Sequence, residues 1–353
     1  MSLDKLRKNI DLLDSKLINL LNLRAQATKK IGKIKINTGK SIYAPEREIE
    51  VLNRIYSLNK GPLKKSALEA IYREVMSASL ALEKPLKIAY LGPQASFSNL
   101  AAVKKFGSQV SYIACNSIAE VFLEVEKGSA DYGVVPIENS IEGAVSHTLD
   151  VFVDSDLKIC SQVNLEVTHN LLANCAKNKI RIVYSNPYVF GQCRIWLQKN
   201  LPNAQLVDIS STTRAAEMAK KEKNTAAIAS LMASKVYRLK VLASSIQDSS
   251  HNITRFLVIG KNVAERTGKD KTSLFFSIKD KVGALYEMLL PFRKYVVNLT
   301  KIESRPSKRK AWEYYFFVDI TGHYDDEKVK KALNELESKC NYLKILGSYP
   351  VGD

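Results

Sequence analysis

Arg24 and Lys35 stand eleven residues apart, which at about 100° per residue brings them within about 20° of one helical face. Arg7 falls about 100° away from Arg24 on the same helix, so one site cannot easily use all three from one chain. Ser79 and Glu83 are i and i+4 on a later helix, with Val75, Met76 and Leu82 nearby. Cations gathered in this way suit carboxylates, which an Arg fork grips bidentately. Any one of them alone reads more readily as a solvated surface charge. Further along, Gly92-Pro93-Gln94-Ala95-Ser96-Phe97-Ser98 follows the apolar run KIAYL. Small hydroxyl residues at a helix start bring backbone N–H groups and the helix dipole to bear on an anion, although such a Ser is often only a cap. Pro136-Ile137-Glu138-Asn139-Ser140 and Asn252-Ile253-Thr254-Arg255-Phe256 set polar side chains directly beside apolar strands, where α/β clefts form. For Asn139 and Thr254 the plain alternative is backbone capping in a turn. Gly283-Ala284-Leu285 opens a helix and Glu303-Ser304-Arg305-Pro306 ends a strand. These read either as a ligand's approach to backbone or as two ordinary turns.

The elements that must position these residues are visible in the hydrophobic spacing. Leu3, Leu6, Ile10, Leu13, Leu17, Leu20, Leu21, Ile31 and Ile34 recur at helical steps over the first 36 residues, predicting one long amphipathic helix that needs a partner to cover it. Gly39 ends it, Pro45 opens a second helix (PEREIEVLNRIYSL), and Gly61-Pro62 precedes a third that stops at Lys84-Pro85. Residues 85–269 alternate short apolar runs with helical stretches, which predicts α/β architecture in two lobes with mostly parallel strands and sites at strand ends. Residues 270–353 read β-α-β-β-α-β, the ferredoxin-like arrangement. Three domains are therefore expected: 1–84, 85–269 and 270–353.

The chain of 353 residues carries a formal charge of +17, which asks for anionic company. The excess is spread over all three segments, which speaks against nucleic acid and for small polyanionic substrates. The densest run, Lys308-Arg309-Lys310, reads as a solvated loop. No stretch approaches the uncharged length of a membrane helix, and five scattered Cys without paired spacing argue against disulfides or structural zinc. A reducing cytoplasm fits this cysteine usage best. His147, His169, His251 and His323 lack metal-ligand spacing and are expected to be structural or superficial.

Along nearly its whole length the chain resembles the bifunctional chorismate mutase/prephenate dehydratase family of phenylalanine biosynthesis. Its first segment is similar to an all-helical AroQ-type mutase, its second to a two-lobed α/β dehydratase, and its third to a phenylalanine-binding ACT domain. The resemblance implies that Arg7, Arg24, Arg47, Glu48 and Ser79 bind chorismate, and that Lys35 and Glu83 donate to its ether oxygen. Such a Claisen rearrangement needs conformational restraint and charge stabilisation, without nucleophile or proton transfer. It further implies a homodimer or larger, with Arg7 reaching into the partner's site. Ala44 departs from relatives that carry Asp there, which leaves the substrate hydroxyl to Glu48.

In the second segment the resemblance implies that Thr254 stands closest to the leaving hydroxyl of prephenate, that Arg255 meets a carboxylate, and that Ser98, Asn139, Ser140, Ser185, Gln192 and Ser211 line the cleft. Asn186 and Tyr188 depart from the family pattern. In the third, Gly283, Ala284, Leu285, Glu303, Ser304, Arg305 and Pro306 would bind phenylalanine as an allosteric effector, with Val282 where Pro is common. The rival readings are a ligand sensor that turns nothing over and a basic nucleic-acid binder.

Overall fold

The computed structural model describes residues 2–249, 251–278, 281–306 and 314–351, so the Lys308-Arg309-Lys310 run lies outside the described residues. The chain forms two compact units, Met1–Leu86 with Phe106–Ser111, and Lys87–Lys105 with Tyr112–Asp353.

The first unit holds helices α1 (Leu3–Asn37), α2 (Pro45–Leu58) and α3 (Lys65–Glu83). Ser2 caps α1 by accepting the Lys5 N–H, and Pro45 opens α2 where its missing N–H costs nothing. At 1.5 Å per residue α1 runs about 52 Å, yet its buried residues are Thr28 and Gly32. Leu3, Leu6, Ile10, Leu13, Leu17 and Leu20 all stand exposed. Gly32 has a local reason: a Cβ there would lie 2.8 Å from the Glu83 Cα, so only glycine lets α3 come this close. Phe106–Ser111 belongs to this unit, although the sequence assigns it to the second segment. Phe106 packs on Tyr43 with ring centroids 4.9 Å apart, and the Gln109 N–H donates to Ser77 Oγ at 3.0 Å.

The second unit opens with β1 (Lys87–Leu91), α4 (Phe97–Phe106), β2 (Ser111–Cys115), α5 (Ile118–Glu126), β3 (Tyr132–Asn139), β4 (Gly143–Ala144), α6 (Ser146–Asp154) and β5 (Lys158–Glu166). A second lobe follows: β6 (Asn170–Ala173), β7 (Ile182–Ser185), α7 (Pro187–Gln192), α8 (Arg194–Asn200), β8 (Gln205–Asp208), α9 (Thr212–Lys221), β9 (Thr225–Ala229), α10 (Leu231–Tyr237) and β10 (Lys240–Ala243). The chain then crosses back into the first sheet as β11 (Ile253–Gly260). The sheets run β2-β1-β3-β11-β5 and β10-β6-β9-β7-β8. They are mixed, which corrects the expectation of mostly parallel strands. β1 pairs with β3, and β7 with β8 and β9, in parallel, whereas β11 lies antiparallel to β3 and β5 and β6 antiparallel to β9. A strand returning from the other lobe needs no helical crossover and so enters against its neighbours.

The last elements are β12 (Asp270–Ser277), α11 (Ala284–Lys294), β13 (Leu299–Pro306), β14 (Tyr314–Thr321), α12 (Glu327–Glu337) and β15 (Tyr342–Pro350), in sheet order β13-β14-β12-β15. This is the expected ferredoxin-like arrangement. Its two faces differ in partner. Leu274, Phe276, Val318 and Ile320 pack under α11 and α12 with Met288, Phe292 and Leu333. Phe275, Phe317, Leu346 and Tyr349 join the same core as Ile137, Phe152, Ile159 and Leu257 of the first lobe. At Gly347 the approach is closest, since a Cβ there would meet the Ile159 carbonyl oxygen at 2.2 Å.

Candidate active sites

In the helical unit the expected residues converge where α1, α2 and α3 meet. Lys35 Nζ donates to Glu83 Oε2 at 2.9 Å and to the Ile42 carbonyl at 2.7 Å. Two of the three ammonium N–H groups are thereby accounted for. Arg24 bonds the Ser79 hydroxyl, which in turn donates to the Val75 carbonyl at 2.8 Å. Glu48 is buried between Arg73 and the Tyr43 hydroxyl, the latter at 3.3 Å. Arg73 escaped the sequence reading, because nothing in its spacing announces a partner 25 residues away on another helix. Arg47 does not join the cluster: it is 65% exposed and pairs with Glu50 at 2.8 Å. Arg7 is exposed and lies about 25 Å along α1 from Arg24.

The second site is built mainly from amides and hydroxyls, with the Glu142 carboxyl at its far end. β11 sets Thr254 opposite Asn139 of β3. Asn139 Nδ2 donates to Thr254 Oγ1 and to Asn252 Oδ1, both at 2.8 Å. Asn139 Oδ1 accepts the Ile141 and Glu142 N–H groups at 2.9 and 3.0 Å. Asn252 Nδ2 reaches Gln192 Oε1 at 2.8 Å, where His169 Nε2 also arrives at 2.8 Å, and Gln192 Nε2 donates to Glu142 Oε1 at 2.9 Å. The chain of bonds thus joins the first lobe to the end of α7 in the second. Beside it opens a cleft of about 520 Å³ lined by Glu142, Pro187, Tyr188, Gln192 and Asp248. His169 is buried, as a structural histidine should be, and it touches the network rather than the surface. Burial holds its imidazole below the usual range, against the pull of its Gln192 bond.

Other expected hydroxyls face backbone. Ser140 Oγ donates to the His251 carbonyl and accepts the Ile253 N–H, Ser185 donates to the Ile228 carbonyl, and Ser211 caps α9. Asn186 caps α7, and Ser98 is buried in the first turn of α4.

Arg255 requires a correction. Successive strand residues point to opposite faces, so Arg255 turns away from Thr254 and the cleft. Its guanidinium lies 2.7 Å from Glu138 Oε1 and 2.7 Å from Asp319 Oδ2 of β14. The Nε contact is an ion pair off hydrogen-bond angle. Lys301 of β13 closes on Glu138, and Lys271 stands 3.9 Å from Asp319. Burial first, and Arg255 second, push the Lys271 ammonium below its ordinary range. No carboxylate partner in the cleft is left to Arg255.

The seven residues expected to hold an effector are divided between two faces. In the β13–β14 register Ser304 opposes Phe316 on the helix-covered side, while Glu303 opposes Phe317 and Arg305 opposes Tyr315 on the side of the first lobe. Arg305 there meets Asp150 of α6 at 3.3 Å. Gly283, at φ +78°, caps α11, and the buried Ala284 and half-exposed Leu285 follow it; Pro306 ends β13. Among the described residues no cluster of His, Cys, Asp or Glu could hold a metal, and no helix is long and apolar enough to cross a membrane.

An ionic three-helix site, a two-lobed α/β cleft built of amides and a ferredoxin-like domain packed on its sheet together define a multidomain enzyme of the mutase and dehydratase class. Family models match in the same order: chorismate mutase type II over 6–84, prephenate dehydratase over 88–264 and the ACT domain over 272–338. A bifunctional chorismate mutase/prephenate dehydratase of Aquifex aeolicus is 50% identical over 99% of this chain and 98% of its own length. The prephenate dehydratase of Arthrobacter aurescens, solved in complex with L-Phe, is 34% identical with a TM-score of 0.71, covering 75% of this chain and 90% of that one. That of Staphylococcus aureus is 28% identical at a TM-score of 0.65, over 75% and 100%. The chain belongs to the bifunctional chorismate mutase/prephenate dehydratase family.

Proposed function

We propose that the chain rearranges chorismate to prephenate and converts prephenate to phenylpyruvate, and that phenylalanine inhibits it. The observation that carries this reading is the Thr254 hydroxyl, which accepts from Asn139 and keeps its own proton to give. In the dehydratase step the ring–carboxylate bond breaks, its electron pair enters the ring, CO2 departs, and the hydroxyl opposite leaves with its own pair. That oxygen needs one proton to leave as water, and Thr254 is the donor or relay. With Arg255 engaged elsewhere, the substrate carboxylates fall to neutral donors such as the N–H groups at the start of α4.

In the mutase step Lys35 keeps one N–H for the ether oxygen on which charge builds as the C–O bond breaks. Glu83, expected as a second donor to that oxygen, instead accepts from Lys35 Nζ at 2.9 Å and so orients the ammonium. Arg24 takes a carboxylate and Glu48 the substrate hydroxyl. The open stripe of α1 supports a dimer, because burying each Leu returns about 1.5 to 3 kcal/mol. A second copy would also bring an Arg7 to each site. Such an enzyme works in the cytoplasm without cofactor.

Phenylalanine would act through β13, whose one face carries Ser304 while the other touches the first lobe through Lys301 and Arg305. An effector acts only by favouring one arrangement over another, and a strand shared by both sides can report it. The deciding assay follows chorismate and phenylpyruvate at catalytic enzyme concentration, with and without phenylalanine. Many turnovers in both steps are expected. Binding without turnover would make the chain a ligand sensor.

A further inference from the structure

The hydrogen bonds that end on Thr254 have directions fixed at both ends. Asn139 Oδ1 accepts two backbone N–H groups, which cannot reverse, so its Nδ2 must face Asn252 and Thr254. At the other end Gln192 Nε2 faces the Glu142 carboxyl, so its Oε1 must face Asn252 and His169. Between these ends Asn252 has no choice: Oδ1 accepts from Asn139 and Nδ2 donates to Gln192. His169 must then present Nε2–H. With Asn139 donating to Thr254 Oγ1, the threonine proton is the one left unspent.

We propose that His169 and Asn252 are positioning residues of the dehydratase site, which hold every bond in this chain in one direction and so leave the Thr254 hydroxyl proton for the substrate. The proposal rests on the dehydratase reading above and adds two residues to it. Neither touches the reacting atoms; each acts through Gln192 or Asn139. Three further observations agree. His169 Nδ1 has no hydrogen-bond partner among the described residues and its side chain is buried, so a second ring proton would have nowhere to go. The Phe97 ring stands edge-on to the imidazole with centroids 5.8 Å apart, holding it by shape where no polar group does. Asn252 is itself buried at 1% exposure, so its amide cannot turn to water instead.

The substitution Asn252→Asp keeps the acceptor toward Asn139 and removes the donor toward Gln192. It should lower dehydratase kcat about 10²-fold, the scale of a misplaced catalytic group, while KM moves less than about threefold. His169→Leu should lose kcat in the same way. His169→Gln, whose Nε2 donor can occupy the place of the imidazole's, should recover about tenfold of that loss. Thermal unfolding of the same preparations, followed by near-ultraviolet circular dichroism, reports whether the second unit has folded. Equal kcat in the Leu and Gln variants, or a loss confined to KM, would overturn the proposal. A readout independent of turnover guards against failure of the dehydratase reading itself: nitrogen NMR of labelled imidazole in the full chain should show His169 neutral with its proton on Nε2. A proton on Nδ1 would overturn the assignment even if prephenate is turned over, and an enzyme inactive on prephenate with the proton on Nε2 would instead sink the dehydratase reading.

Discussion

The two candidate sites use opposite materials. The helical site is held by ions, with Lys35 on Glu83, Arg73 on Glu48 and Arg24 on Ser79. The cleft of the second unit is held by amides and a hydroxyl in a chain that ends on the Glu142 carboxyl, while Arg255 and Glu138 are turned to the far face of the same strands. A rearrangement that moves no proton gains most from fixed charge. A reaction that must deliver one proton to one oxygen gains from fixed direction, which neutral donors and acceptors provide without attracting counter-ions. Position in secondary structure makes each material available: a helix returns side chains to one face every three or four residues, whereas a strand parts its neighbours.

The largest expected effects test that division directly. Lys35→Met should lower mutase turnover about 10²- to 10³-fold, and Thr254→Ala should lower dehydratase turnover about 10²-fold or more, each sparing the other activity. Separate assays for chorismate loss and phenylpyruvate formation read this, and a loss shared by both would mean the sites are not independent. Gly32→Ala comes next. Alanine favours a helix interior by about 1 kcal/mol, but here its methyl meets the Glu83 backbone, and overpacking costs about 1 to 3 kcal/mol. Thermal unfolding should therefore show a net loss in the helical unit; a gain would mean α3 gives way and the Lys35–Glu83 pair does not depend on that closeness.

Smaller effects sharpen the contrast. Lys301→Ala, which removes a β13 contact to Glu138, should weaken phenylalanine inhibition about fivefold, the low end of allosteric coupling. Titrating phenylalanine against dehydratase rate would show it, and an unchanged inhibition curve would clear this contact of any part in regulation. Raising salt from about 0.05 to about 0.5 M should raise the mutase KM about two- to threefold more than the dehydratase KM, since screening acts on charges and little on amides. Equal shifts would point to an unrecognised cation in the cleft. The smallest effect concerns His169. Burial lowers its folded pKa from the unfolded value of about 6.5, so the unfolded chain takes up the proton first. The stability it contributes is whole above about pH 6.5 and is lost as pH falls toward the folded value. The melting temperature should drop on acidification, and His169→Gln should lack that part of the drop.

Much of this was legible in the chain alone, unevenly. The α2 boundaries and the βαββαβ order follow from Pro, Gly and hydrophobic period, which act locally. Ser79 and Glu83 were found because i and i+4 share a helical face. Asn252-Ile253-Thr254-Arg255 reads as one motif, but strand alternation sends Thr254 and Arg255 to different partners, and only the β14 neighbour Asp319 reveals where the arginine goes. The same alternation divides Ser304 from Glu303 and Arg305. Nothing in the chain alone announces Arg73, whose partner lies on another helix, and the motif that holds Asn252 and the lone His169 give no sign of the bonds both make to Gln192.

The core shared by the first lobe and the last domain sets a timetable for synthesis. Ala89 and Tyr349 belong to one cluster, and about 260 residues separate them, or about 13 to 52 s on a ribosome adding about 5 to 20 residues per second. The helical unit waits only from Glu83 to Ser111, about 1 to 6 s at the same rates. The three helices can thus close early in translation, while Phe152, Ile159 and Leu257 stay uncovered on the nascent chain until the final strand emerges to close over them. The dehydratase is the half of the molecule that most needs a chaperone's cover during that interval.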